Sequence, residues 1–127
     1  KVDLPADLLA TREDHIVPIG GAYASTQHLP GRKRFVMGAS GHIAGVINPA
    51  SKGKRSHWIG PANQFPADVN EWIASAQEFK GSWWTDWSDW LQSLAGKQVA
   101  APKSYGSRKY KAIEAAPGSY VKAKAKA

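Results

Sequence analysis

Apolar residues are unevenly distributed along this chain, and the first half alternates between two periods. Residues 4–11, Leu-Pro-Ala-Asp-Leu-Leu-Ala-Thr, form a short apolar run with polar flanks. That predicts a buried strand, with Pro5 at its start, where a missing backbone donor is tolerated. Arg12-Glu13-Asp14-His15 breaks the run as a loop. Pro18 and the pair Gly20-Gly21 hold off helix until about Ala22, and residues 22–29 suit a short helix with Ala22, Tyr23 and Leu29 on one side. Arg34-Phe35-Val36-Met37 reads as a second strand, ended by Gly38, and residues 39–49 as a glycine-punctuated loop around His42. Strand, helix, strand in this order predicts a parallel sheet. Two strands do not make a stable sheet, so the remaining strands are expected upstream of Lys1.

The second half changes character. Trp72, Ala76 and Phe79 recur at i, i+4 and i+7, which predicts one helix. After Gly81 and a capping Ser82, the residues Trp83, Trp87, Trp90, Leu91 and Leu94 trace a second helical stripe, with Gly96 as its stop. The expected organisation is residues 1–57 with the strands and the Asp and His loops, 58–96 as a Trp-rich helical segment of the same domain, and 97–127 as an extended tail.

Composition adds three constraints. A chain of 127 residues, 43% hydrophobic, suits one domain with a packed core. It contains no cysteine, which excludes a disulfide scaffold, a thiolate zinc site and a cysteine nucleophile supplied by this chain. No apolar run approaches the roughly 20 residues of a membrane span, and no signal-peptide pattern opens the chain. It begins with Lys1 rather than Met, and Val2 to Thr11 already reads as structured sequence, so a piece of something longer is expected.

The net charge of +7 belongs to the tail. Residues 1–102 carry ten Lys or Arg against nine acids, whereas residues 103–127 carry seven against Glu114 alone. A nucleic-acid reading must therefore rest on the tail, where Tyr105, Tyr110 and Tyr120 interleave only loosely with the bases. A small basic binding module using that tail is the alternative to an enzyme.

Asp14 follows one expected strand and His42 follows the next. Functional groups of a parallel sheet gather at the carboxyl ends of its strands, so these loops would set a carboxylate beside an imidazole. That is the acid and base of a nucleophile–His–Asp triad, and acid before histidine late in the chain is the α/β-hydrolase order. On spacing alone, the commoner reading is a capping aspartate and a turn histidine. Gly41 and Gly45 favour the triad by letting backbone approach a small site closely. His15, His28 and His57 are scattered without metal-ligand spacing, so no metal site is expected. The tryptophans read as a hairpin packed on the domain, or as an apolar surface for another subunit or a water-insoluble phase.

Longer strings carry a family resemblance. Arg12-Glu13-Asp14-His15-Ile16-Val17-Pro18 with Ala22-Tyr23 resembles the aspartate loop of class I polyhydroxyalkanoate (poly-3-hydroxybutyrate) synthases, and residues 34–49 resemble their histidine loop. Lys80-Gly81-Ser82-Trp83-Trp84 with Asp86-Trp87, and residues 110–123, are similar to their carboxyl-terminal region, with Ala50 and Ala115 standing where prolines are expected. The resemblance implies the carboxyl-terminal part of an α/β-hydrolase fold, with Asp14 and His42 as triad members and His15 as a further active-site histidine. It implies polymerisation of (R)-3-hydroxyacyl-CoA with release of CoA, through a cysteine that this chain lacks. It further implies no separate cofactor, a growing polyester chain and granule surface as partners, a homodimer at full length, and a cytoplasmic, granule-associated location. By the same resemblance no nucleic acid is bound, and the chain alone is expected to be inactive.

Overall fold

A computed structural model describes residues 3–125; the notion that Val2 begins structured sequence falls outside them. The chain divides into two compact units, residues 1–95 and 96–127. The first is mixed α/β: β1 (Ala6–Thr11), α1 (Ile19–His28), β2 (Lys33–Gly38), β3 (Ser56–Ile59), α2 (Val69–Ser75), β4 (Gln77–Lys80) and α3 (Trp84–Leu94). The strands form one sheet in the order β1-β2-β3-β4. β1 and β2 are parallel, with Ala6 opposite Lys33 and Thr11 opposite Gly38, and both β3 and β4 join antiparallel.

Three expectations are corrected. The sheet does not depend on upstream residues for its third and fourth strands, because β3 and β4 supply them. Phe79 lies on β4, not on a helix with Trp72. α2 stops at Ser75, whose hydroxyl bonds the Trp72 carbonyl at 2.9 Å, and Ala76 is already extended. The segment 58–96 therefore holds strand as well as helix. Finally, α1 starts at Ile19, directly after Pro18, and runs through both glycines. Glycine costs about 1 kcal/mol in a helix interior, a cost that the core burial of Tyr23, with Ile19 and Ala22 packed beside it, offsets here.

Strand alternation divides the sheet into two faces. Leu8, Ala10, Phe35, Met37 and Trp58 face α1 and α2, where Tyr23 and Trp72 complete the core. Phe35 meets Tyr23 and Trp72 edge-on, with ring centroids 5.0 and 4.9 Å apart. On the opposite face Arg34 bonds Asp7 of β1 and Asp86 of α3, and its guanidinium lies 5.7 Å from the Trp90 ring. α3 buries none of its residues, and Trp84, Trp87, Leu91 and Leu94 stay exposed. β1 is one edge of the sheet, apolar at Leu8, Leu9 and Ala10; β4 is the other, exposed throughout and carrying Glu78 and Lys80. The described part of the second unit is extended, with an isolated bridge between Gly106 and Lys111 and a 3₁₀ turn at Tyr120–Lys122.

Candidate active site

β1 and β2 are parallel neighbours, so the loops that leave them emerge side by side at one end of the sheet. Backbone bonds tie the two loops together there. The Arg12 amide donates to the Gly38 carbonyl at 2.8 Å, and the Glu13 amide to the Ser40 carbonyl at 3.0 Å. Gly45 folds back over the end of β1. A Cβ at Gly45 would lie 2.5 Å from both the Ala39 carbonyl oxygen and Thr11 Cγ2, so only glycine permits this approach.

The two loops bring Asp14 and His42 into contact. Asp14 Oδ2 and His42 Nδ1 are 2.7 Å apart. An ionised carboxylate only accepts, so Nδ1 carries a proton, and in the neutral ring the lone pair is on Nε2. Asp14 Oδ1 accepts from the Ile16 and Val17 amides, each at 2.9 Å, closing an Asx-type turn. The Thr11 hydroxyl lies 3.4 Å from Oδ2. The carboxylate is 8% exposed and the imidazole 41%. Hydrogen bonding, led by the Val17 amide and joined by His42 and Ile16, overcomes partial desolvation and lowers the Asp14 pKa to about 2. A cavity of about 180 Å³ opens beside the pair, lined by Leu9, Ala10, Val17 and Val46 among others.

The remaining histidines lie elsewhere. His15 is exposed on the aspartate loop and makes no hydrogen bond among the described residues. His28 is exposed at the end of α1. His57 is buried on β3, stacks on Phe79 and donates from Nδ1 to the Gly81 carbonyl at 3.2 Å, a structural role. No group of three or more His, Cys, Asp or Glu with metal-binding geometry occurs among the described residues. Sequence reasoning missed Thr11, whose only signal is its place at the end of β1. It also missed the polar use of Trp83 and Trp84, whose indoles both donate to the Val46 carbonyl of the histidine loop.

No family model matches the chain. Over 124 residues, 98% of the chain, it is 56% identical to the poly(3-hydroxyalkanoate) polymerase subunit PhaC of Cupriavidus necator. It is 40% identical over 98% of its length to the protein of the same name from Rhizobium meliloti, and 44% identical over 94% to that from Rhizobium etli. The chain belongs to the poly(3-hydroxyalkanoate) polymerase family. It covers 21%, 20% and 18% of those three relatives, so it spans about a fifth of the polymerases it matches. Among the described residues no helix is long and apolar enough to cross a membrane.

Proposed function

We propose that Asp14 and His42 are the acid and base of an acyltransferase that polymerises (R)-3-hydroxyacyl-CoA into polyester and releases CoA. The supporting observation is the 2.7 Å contact, which fixes the tautomer and leaves His42 Nε2 free among the described residues. The nucleophile is a cysteine thiol from the four-fifths of the polymerase outside this chain. Its proton passes to His42 Nε2, because the thiolate attacks the substrate thioester far better than the thiol does. The new bond joins the enzyme's sulfur to the acyl carbon. The bond to the CoA sulfur breaks, and CoA leaves with the proton from the imidazolium. A 3-hydroxyl then gives its proton to the same Nε2 and attacks the enzyme thioester, forming an ester and freeing the cysteine. Asp14 is ill suited to take that proton. With its pKa lowered to about 2 it is a weak base, and its two oxygens already face four donors.

His15 is the neighbouring histidine of this site, and the apolar edge of β1 is where a strand from the rest of the polymerase would pair. The same reading makes the full-length protein a cytoplasmic homodimer at a granule surface, with no cofactor beyond the CoA that its substrate carries. No observation favours the basic-module alternative, since the tail presents charge without a built site.

The test is thiol release from 3-hydroxybutyryl-CoA, followed with time in the full-length protein. His42→Ala should abolish turnover, and His57→Ala should leave far more of it. An enzyme indifferent to His42→Ala overturns the assignment.

A further inference from the structure

The structure assigns Trp83 and Trp84 as positioning residues that hold the histidine loop in register with Asp14; this inference rests on the reading of His42 as the base. Both indole N–H groups donate to one atom, the Val46 carbonyl oxygen, at 3.0 Å from Trp83 and 2.7 Å from Trp84. The buried Ser82 hydroxyl donates to the carbonyl of Asn48 and accepts from the Trp84 amide at 3.1 Å. Three side chains in succession therefore grip the end of the loop that carries His42.

The grip is rooted in the sheet. Gly81, just beyond β4, donates its amide to the Arg55 carbonyl at 2.7 Å, and its own carbonyl accepts from buried His57. Its φ of 100° turns the chain from β4 towards the loop, a conformation that favours glycine. Arg34 holds the first turn of α3 through Asp86. Inside the loop, the amides of Gly45, Val46 and Ile47 bond the carbonyls of Gly41 and Ile43, each at 3.0 Å. His42 thus sits within a single helical turn whose last carbonyls are fixed from outside. The geometry is unlike a hydrophobic stripe. Both rings remain partly open to solvent, with Trp84 at 41%, and their N–H groups do the holding. A base displaced by a fraction of an ångström loses its alignment with the proton it must take, so the bonds bear on turnover more than on substrate binding.

The test uses the full-length polymerase with Trp83→Phe, Trp84→Phe and the double variant, which remove the donors and keep most of the ring volume. Leu91→Ala, about two turns further along α3, exposed and without a bond to the loop, is the control, because the Trp87 ring packs against Trp83 at 5.4 Å and would not be independent of it. Hydrogen exchange of the peptide spanning residues 39–49 should quicken in the double variant and stay unchanged in the control. Turnover should fall about tenfold with KM within about twofold, since each lost bond is worth up to about a factor of ten. If the double variant does not fold, the two single variants decide by the same exchange measurement. Unchanged exchange at 39–49 overturns the clamp, whatever the activity. Quickened exchange in an enzyme that His42→Ala leaves active upholds the clamp and refutes the catalytic reading instead.

Discussion

Replacing Asp14 by Asn in the full-length polymerase changes one atom and reverses the polarity of half the side chain. Asp14 now accepts from four donors: two amides at Oδ1, and His42 Nδ1–H and the Thr11 hydroxyl at Oδ2. Asparagine has one acceptor oxygen. If that oxygen stays on the Ile16 and Val17 amides, the new NH₂ faces His42 and donates to Nδ1. The imidazole then carries its proton on Nε2, where the base should have a lone pair. If the amide flips, its NH₂ confronts two backbone N–H groups, and the loop loses both bonds. Two amide bonds outweigh one, so the first arrangement holds: the fold survives with the wrong tautomer. A comparable tautomer trap in a triad costs roughly ten-thousand-fold in turnover, and that is the loss expected here. Thiol release from 3-hydroxybutyryl-CoA gives the rate, and ¹⁵N resonances of the labelled histidine report which ring nitrogen is protonated. A folded Asp14→Asn enzyme within about tenfold of the parent rate, or one whose His42 keeps its proton on Nδ1, would refute the reasoning.

Two further outcomes follow from the same geometry. The Asp14 carboxyl has its ordinary value of 3.8 lowered to about 2, so its contribution to loop stability is complete above pH 3.8 and is lost as the pH falls through about 2. Exchange protection of the Ile16 and Val17 amides should fall across that window in the parent and not in Asp14→Asn; equal protection at both ends contradicts the shift. Gly45→Ala would press a methyl against the Ala39 carbonyl and Thr11 Cγ2, and should cost about 1–3 kcal/mol by denaturant titration. The displaced loop should slow turnover as well, and an unaltered midpoint would show that it yields without cost.

The β1-α1-β2 unit is legible in the sequence because its strands rest on strong local signals, whereas the Asp14–His42 juxtaposition follows only from the parallel pairing of those strands, since spacing alone favours a capping aspartate and a turn histidine. Leu8-Leu9-Ala10 and Phe35-Val36-Met37 are compact apolar runs, the first ended by the charged Arg12-Glu13-Asp14 and the second by Gly38. β3 and β4 are not legible. Ser-His-Trp-Ile and Gln-Glu-Phe-Lys are four residues each and have no alternation strong enough to announce a strand. They become strands through pairing with β2 and with each other, which tertiary contact decides. Phe79 has a spacing from Trp72 and Ala76 that fits a helix, but the extended Ala76 interrupts it. The start of α1 at Ile19 is not legible for the opposite reason: two glycines argue locally against helix, and burial around Tyr23 overrides them. Trp83 and Trp84 were legible as ring volume only, since periodicity shows where an indole lies and not what its N–H reaches.

The two margins of the sheet differ, and the difference gives it a direction. β4 presents Glu78 and Lys80 along a fully exposed strand, a margin that discourages a neighbour, whereas β1 presents Leu8, Leu9 and Ala10. By that contrast an added strand is expected to pair at β1 before β4. Pairing that runs onward from copy to copy needs two receptive margins, and a charged β4 supplies a poor second one.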